Sequence, residues 1–273
     1  MRATVCELPH EPAALASAWR ALCDHTARQR SSLVLLPEFA FVEPFWESQV
    51  FDAARWERVS ATSDAWIGRL NELCVEYVVG TRPATENGLH FNEGFLWSRS
   101  GRCMSLRRKY FMPDESGGWE SHWFSAGDDE FPGYAAGPLT FGLNICTEIW
   151  ALETYAAYAA ASVSAVLCPR ATSATTTAKW RAAGTVAAVR SGAYCLSSNR
   201  AHRGDSGGGV SWIIGPDGDV LAQTTPDGPF ATEEIDVRVA MAARTTYPRY
   251  ALAPAAENAG WNRSRRRRKQ PSR

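Results

Sequence analysis

No apolar run in this sequence approaches the length of a membrane span. The opening residues, Met1-Arg-Ala-Thr-Val-Cys-Glu-Leu-Pro9, lack the apolar core of a secretion signal. Both absences predict a cytoplasmic protein with no membrane partner. No pair among the seven cysteines, at positions 6, 23, 74, 103, 146, 168 and 195, is spaced Cys-x-x-Cys. Their odd number and scatter argue against a disulfide framework and against a structural zinc site. There is no Pro/Gly/Ser-rich linker, no clear internal repeat and no shift of composition before about residue 255. The 273 residues are therefore read as one domain, 1–255, followed by a tail, 256–273.

Net charge is also lacking, since 29 basic residues balance 29 acidic ones. The balance hides a segregation. Arg263, Arg265, Arg266, Arg267, Arg268, Lys269 and Arg273 hold seven of the positive charges, leaving 22 basic against 29 acidic residues elsewhere. A basic run interleaved with Ser, Gln and Pro, with no apolar residue, reads as a solvated and disordered terminus; a nucleic-acid partner is not expected from it.

What is present is a soluble globular composition, 45% hydrophobic and 21% charged. Strand and helix patterns alternate along it. Strands are predicted at Arg2 to Leu8, Ser32 to Leu36, Glu76 to Gly80, Leu139 to Ile145, Val163 to Cys168, Ala193 to Arg200 and Ala231 to Val237. Helices are predicted at Glu11 to Arg30, Ala53 to Cys74, Trp150 to Ala161 and Lys179 to Ser191. Hairpins are expected across Ser98-Arg-Ser-Gly101 and Gly215-Pro-Asp-Gly218. The alternation indicates an α/β protein whose sheets are mixed by the hairpins.

Four polar residues stand at or just past predicted strand ends, or in the loop after one: Glu38, Lys109, Glu120 and Cys146. Taken singly each has a plain structural explanation. A Glu beside a Pro is usually a surface carboxylate, the Lys of Arg-Arg-Lys is usually solvated, Glu120 can cap a turn, and a buried thiol is usually inert. Cys146, however, falls where a buried strand turns into a helical pattern. A helix N-terminus there presents free N–H groups and a partial positive charge, which favour a thiolate and later an oxyanion.

Taken together, Leu-Pro-Glu38, Arg-Arg-Lys109 followed by Pro113, and Gly142-x-x-Ile-Cys146-x-Glu148 resemble the three signatures of the nitrilase, or carbon–nitrogen hydrolase, superfamily, in order. Glu120-x-His-Trp-Phe-x-x-Gly127 is similar to the family's second-glutamate loop, and Ser198-Asn199-Arg200 before Gly204 is a further match. The similarity runs from about residue 3 to residue 250.

The resemblance implies a four-layer αββα sandwich with two mixed β-sheets, paired into a homodimer and needing no cofactor or metal. It implies Glu38 as general base, Cys146 as nucleophile, Lys109 as the cation at the oxyanion and Glu120 as a substrate-positioning carboxylate. Glu115 is the rival for that last role. The backbone N–H of Thr147 would join Lys109 at the oxyanion. The reaction implied is hydrolysis of a non-peptide C–N bond of a small molecule, a linear amide first, through a Cys146 thioester. Thr147 follows the nucleophile where nitrile-cleaving members usually have Trp, which disfavours the nitrile reading. N-carbamoyl hydrolysis and acyl transfer to an amine are the further alternatives.

Arg170, at a strand end, is a candidate for binding a substrate carboxylate bidentately. Thr172, Trp119, Trp123 and Phe39 are candidate pocket walls. Glu148 is expected to hold the turn at Cys146 by hydrogen bonds, Trp150 to lie in the core, and His202 lacks the context of a cysteine-protease partner.

Overall fold

The computed structural model describes residues 1–201 and 208–252; the basic tail and His202 lie outside them. Strand β1 (Arg2–Leu8) leads through helix α1 (Pro12–Gln29) to β2 (Leu33–Leu35), and α2 (Ala53–Ile67) precedes β3 (Tyr77–Glu86), β4 (Leu89–Ser98) and β5 (Cys103–Arg108). A short helix α3 (Glu120–Trp123) precedes β6 (Gly133–Ala136) and β7 (Leu139–Leu143). Then come α4 (Glu153–Ala160), β8 (Ala165–Pro169), α5 (Thr177–Ser191) and β9 (Tyr194–Arg200). The strands β10 (Trp212–Ile214), β11 (Val220–Gln223) and β12 (Phe230–Glu234) and the helices α6 (Val237–Ala243) and α7 (Arg249–Leu252) complete the described chain.

The strands form one linked, mixed network of 12, in the order β5-β4-β3-β2-β1-β9-β8-β7-β6, with β12 on β1 and the β10–β11 hairpin on β9. The pairing gives one large mixed sheet where two separate sheets of a four-layer sandwich were expected; its two halves, β5 to β1 and β9 to β6, join where β1 and β9 run parallel. That seam holds only the registered pairs Glu7 with Asn199 and Leu8 with Arg200.

Side-chain alternation explains the layering, because successive residues of a strand face opposite sides. Leu33 and Leu35 of β2 pack with Ala165 and Leu167 of β8 and Leu196 of β9 in a core shared by the two halves. Val34 and Leu36 point the other way, onto Leu15, Trp19 and Leu22 of α1. Val166, Cys168 and Cys195 likewise face Tyr155 and Tyr158 of α4 and Ala183, Ala187 and Ala188 of α5. Each large apolar side chain buried this way contributes about 1.5–3 kcal/mol.

Four elements depart from expectation. β3 runs on to Glu86 and turns at Asn87-Gly88, both at positive φ, into β4. β6 pairs antiparallel with β7. The helix predicted to run to Cys74 stops at Ile67, and the one predicted from Trp150 starts at Glu153, because residues Cys146–Trp150 wind as a 3-10 turn.

Candidate active site

Three strand ends and one loop bring the polar residues together. Glu38 follows β2, where its N–H donates to the Arg170 carbonyl at 3.2 Å. Phe39, at φ 46°, turns the chain away and donates its N–H to Thr81 Oγ1 at 2.8 Å. Lys109 follows β5, held by its N–H on the Asn92 carbonyl at 2.8 Å and its carbonyl on the Gly127 N–H at 2.9 Å. Glu120 opens α3, and Cys146 follows β7.

Lys109 is fully buried and bridges two buried carboxylates. Its Nζ donates to Glu38 Oε1 at 2.9 Å and to both oxygens of Glu120 at 2.8 and 2.7 Å. Asn92 Nδ2 donates a further bond to Glu38 Oε1 at 2.8 Å. Burial opposes the charge on Lys109. The carboxylates of Glu120 and Glu38 and the Cys146 sulfur outweigh that penalty, so its pKa lies well above the ordinary lysine value. Burial pushes the Glu120 carboxyl up to about 7, Glu38 adding to the shift and Lys109 opposing it.

Cys146 sits at φ 49°, a left-handed conformation that costs a non-glycine residue about 1–2 kcal/mol. Glu148 holds it there. Its buried carboxylate accepts the Ile145 N–H at 2.8 Å and the Tyr110 N–H at 2.7 Å, and pairs with Arg107, itself buried. One carboxylate thus ties the Cys146 turn to the chain on either side of Lys109. Asn144 adds a bond from Nδ2 to the Glu148 carbonyl at 2.8 Å.

The helix N-terminus expected to favour a thiolate at Cys146 is not the geometry found. Cys146 opens a single 3-10 turn rather than α4, so no long helix dipole reaches it. Burial instead pushes its thiol well above the ordinary value. Glu38 adds to the shift, and Lys109 and the Ala171 N–H oppose it. Burial and Glu38 thus both favour the neutral form of the Cys146 thiol.

Of the two rival glutamates, Glu120 is the one brought to Lys109; Glu115 is exposed on an open cleft of about 660 Å³. Thr147 and Thr172 line that cleft, as does Trp150, which is 41% exposed rather than in the core. Trp123 and Phe39, expected as pocket walls, are each only 2% exposed. Both are buried in an aromatic cluster with Phe45, Trp46 and Phe124. Trp119 is half-buried with its ring against His122.

Arg170 is corrected as well. It is fully buried, and it donates to Ser197 Oγ, Thr172 Oγ1 and the Val210 carbonyl, each at 2.6 Å, with its guanidinium over the Trp212 ring. Donors committed on every arm of the fork suit a structural pin, not a bidentate carboxylate ligand.

Asn92, the Ala171 N–H and Arg107 were not anticipated from the sequence. Asn92 stands beside Glu93 in the polar middle of β4 and carried no separate signal, whereas Arg107 was already part of the Arg-Arg-Lys109 motif. Among the described residues no group of three or more His, Cys, Asp or Glu side chains is arranged to hold a metal ion.

Residues 2–245 match the family model for carbon-nitrogen hydrolases. The chain belongs to the carbon-nitrogen hydrolase family. No curated protein matches it by sequence. Solved structures of similar fold include the following three. The carbon-nitrogen hydrolase of Helicobacter pylori G27 is 18% identical at TM-score 0.81, over 92% of this chain and 94% of the other. Nit3 of Saccharomyces cerevisiae, a member of branch 10 of the nitrilase superfamily, is 19% identical at TM-score 0.73, over 91% and 94%. An amidase from Nesterenkonia sp. is 17% identical at TM-score 0.71, over 92% and 94%. As in the sequence-based expectation, the carbon-nitrogen hydrolase match spans nearly the whole described chain, and no described helix is long and apolar enough to cross a membrane.

Proposed function

We propose that this carbon-nitrogen hydrolase cleaves a non-peptide C–N bond of a small molecule, a linear amide, through a thioester on Cys146. The observation that carries the reading is the buried cluster in which Lys109 bridges Glu38 and Glu120, electrostatically coupled to the Cys146 thiol.

Glu38 takes the proton from Cys146 Sγ as the sulfur attacks the amide carbon, so the nucleophile is charged only as it reacts. The carbonyl π pair moves onto oxygen, where Lys109 and the Thr147 N–H meet it; one such donor is worth about 3 kcal/mol. Collapse of the tetrahedral species breaks the C–N bond. The nitrogen leaves as ammonia or an amine with the proton that Glu38 held. Water then gives a proton to Glu38 and attacks the thioester, and the thiolate leaves to be reprotonated as the acid departs. Glu120 keeps Lys109 in place and faces the substrate. Residues 1–255 act as a single hydrolase domain, a proposal that the family match over 2–245 supports.

The test is intact mass after exposure to a panel of small amides, N-carbamoyl acids and nitriles, with Glu38→Gln included to slow turnover. An acyl mass that appears on the native chain and is lost in Cys146→Ala is the expected result. Hydrolysis retained by Cys146→Ala would refute the mechanism.

A further inference from the structure

A second cavity, of about 240 Å³ and mostly polar, adjoins the nucleophile. Ala171, whose N–H donates to Cys146, forms part of its wall, and Trp46, Gly117 and Ser173 line it too. Its remaining feature is a pair of opposite charges, Arg200 and Glu47, both lining it.

Arg200 is fully buried, and two arms of its guanidinium are committed, one to the Phe39 carbonyl at 2.9 Å and one to the Val42 carbonyl. Its Nε has no hydrogen-bond partner, and among the described residues no carboxylate lies in ion-pair contact with it. Glu38, Glu47 and Glu11 reach it only through space. A buried cation without a counter-ion is costly, so a wall that keeps one is set up for an anion that arrives from outside. Glu47 is exposed and likewise forms no ion pair among the described residues. Burial raises its carboxyl, with Arg200 and Arg55 opposing. The cavity therefore holds a cation and an anion, neither in ion-pair contact with a described residue.

We infer that this cavity is an acyl-group subsite that takes a zwitterionic head group, the substrate carboxylate facing Arg200 and its ammonium facing Glu47. The inference rests on the hydrolase reading and narrows it to amides of amino-acid type. An analogue lacking the carboxylate leaves Arg200 buried and unpaired, and one lacking the ammonium loses the pairing with the exposed Glu47.

Four amides of matched reach test it by ammonia release: glutamine, glutaramate (no ammonium), γ-aminobutyramide (no carboxylate) and butyramide (neither). Glutamine is expected to exceed butyramide in kcat/KM by about a hundredfold, with the singly charged analogues between them. Glu47→Gln should bring glutamine down to the level of glutaramate through KM. Arg200→Lys should raise KM for glutamine and glutaramate about tenfold or more while leaving the ratio of γ-aminobutyramide to butyramide unchanged. Because Arg200 also holds the chain after Glu38, only variants with native thermal unfolding are compared, and Glu47→Gln, at an exposed position, stands without it.

Butyramide cleaved as well as glutamine, or a glutamine-to-glutaramate ratio untouched by Glu47→Gln, would overturn the subsite. Ammonia from other amides of the panel but none from glutamine overturns the subsite and leaves the hydrolase reading standing. No adduct and no ammonia from any amide overturns both.

Discussion

Lys109 Nζ donates to both carboxylate oxygens of Glu120, at 2.8 and 2.7 Å, where neither side chain meets bulk water. Yet burial, with Glu38 adding to it, keeps the Glu120 pKa near 7 against the pull of Lys109. The folded state thus holds the Glu120 proton more tightly than the unfolded chain, where the group titrates near 4.5. The contribution of Glu120 to stability is full below about 4.5 and is lost as pH rises towards about 7. Denaturant unfolding across that window should show a steeper loss of stability with pH in the native chain than in Glu120→Gln. Equal slopes would contradict the raised pKa.

Lys109→Met removes the cation between two buried carboxylates. The pair then shares a proton, as like charges held close cannot both ionise. Acylation of Cys146, followed by intact mass in a quenched time course, should slow by about 10²–10³. An unchanged acylation rate would remove Lys109 from the oxyanion.

Glu148→Gln leaves Arg107 buried without its partner. Loss of one member of a buried pair costs about 3–5 kcal/mol, here with a weakened grip on the Ile145 and Tyr110 N–H groups. Urea unfolding measures it, and a loss under about 1 kcal/mol would mean that the Cys146 turn is held by other bonds.

Gly142→Ala tests the close approach of β7 to α4. A Cβ there would overlap the ring carbons of Tyr158, whose hydroxyl donates to the Leu143 carbonyl at 3.3 Å. Overpacking of this kind costs about 1–3 kcal/mol, read as a lower thermal midpoint. A native midpoint would show that Tyr158 has room to move.

Glu38, Lys109 and Cys146 were legible because each follows a run whose pattern ends abruptly, and a strand end in an α/β sheet is where side chains of different strands converge. The continuation of β3 was not, although Asn87-Gly88 is a hairpin signal, because Thr85-Glu86 before it reads as polar loop. β6, written Gly-Tyr-Ala-Ala, has too little β-branched character to show before its partner is known. Arg170 was misread for a different reason. A lone arginine at a strand end advertises a free fork, and only coordinates reveal that Ser197, Thr172 and Val210 have already claimed it. The Cys146 turn shares that limit: alanine content located α4 but not the 3-10 turn that separates it from the thiol.

The seam between β1 and β9 divides the site as well as the sheet. Glu38 and Lys109 belong to one half, Cys146 to the other, and Cys146 is also the latest of the four polar residues along the chain. During synthesis Glu38, Lys109 and Glu120 emerge before Cys146 does. On the proposed mechanism the thiol and its activating groups therefore meet only once both halves of the sheet have been made and joined.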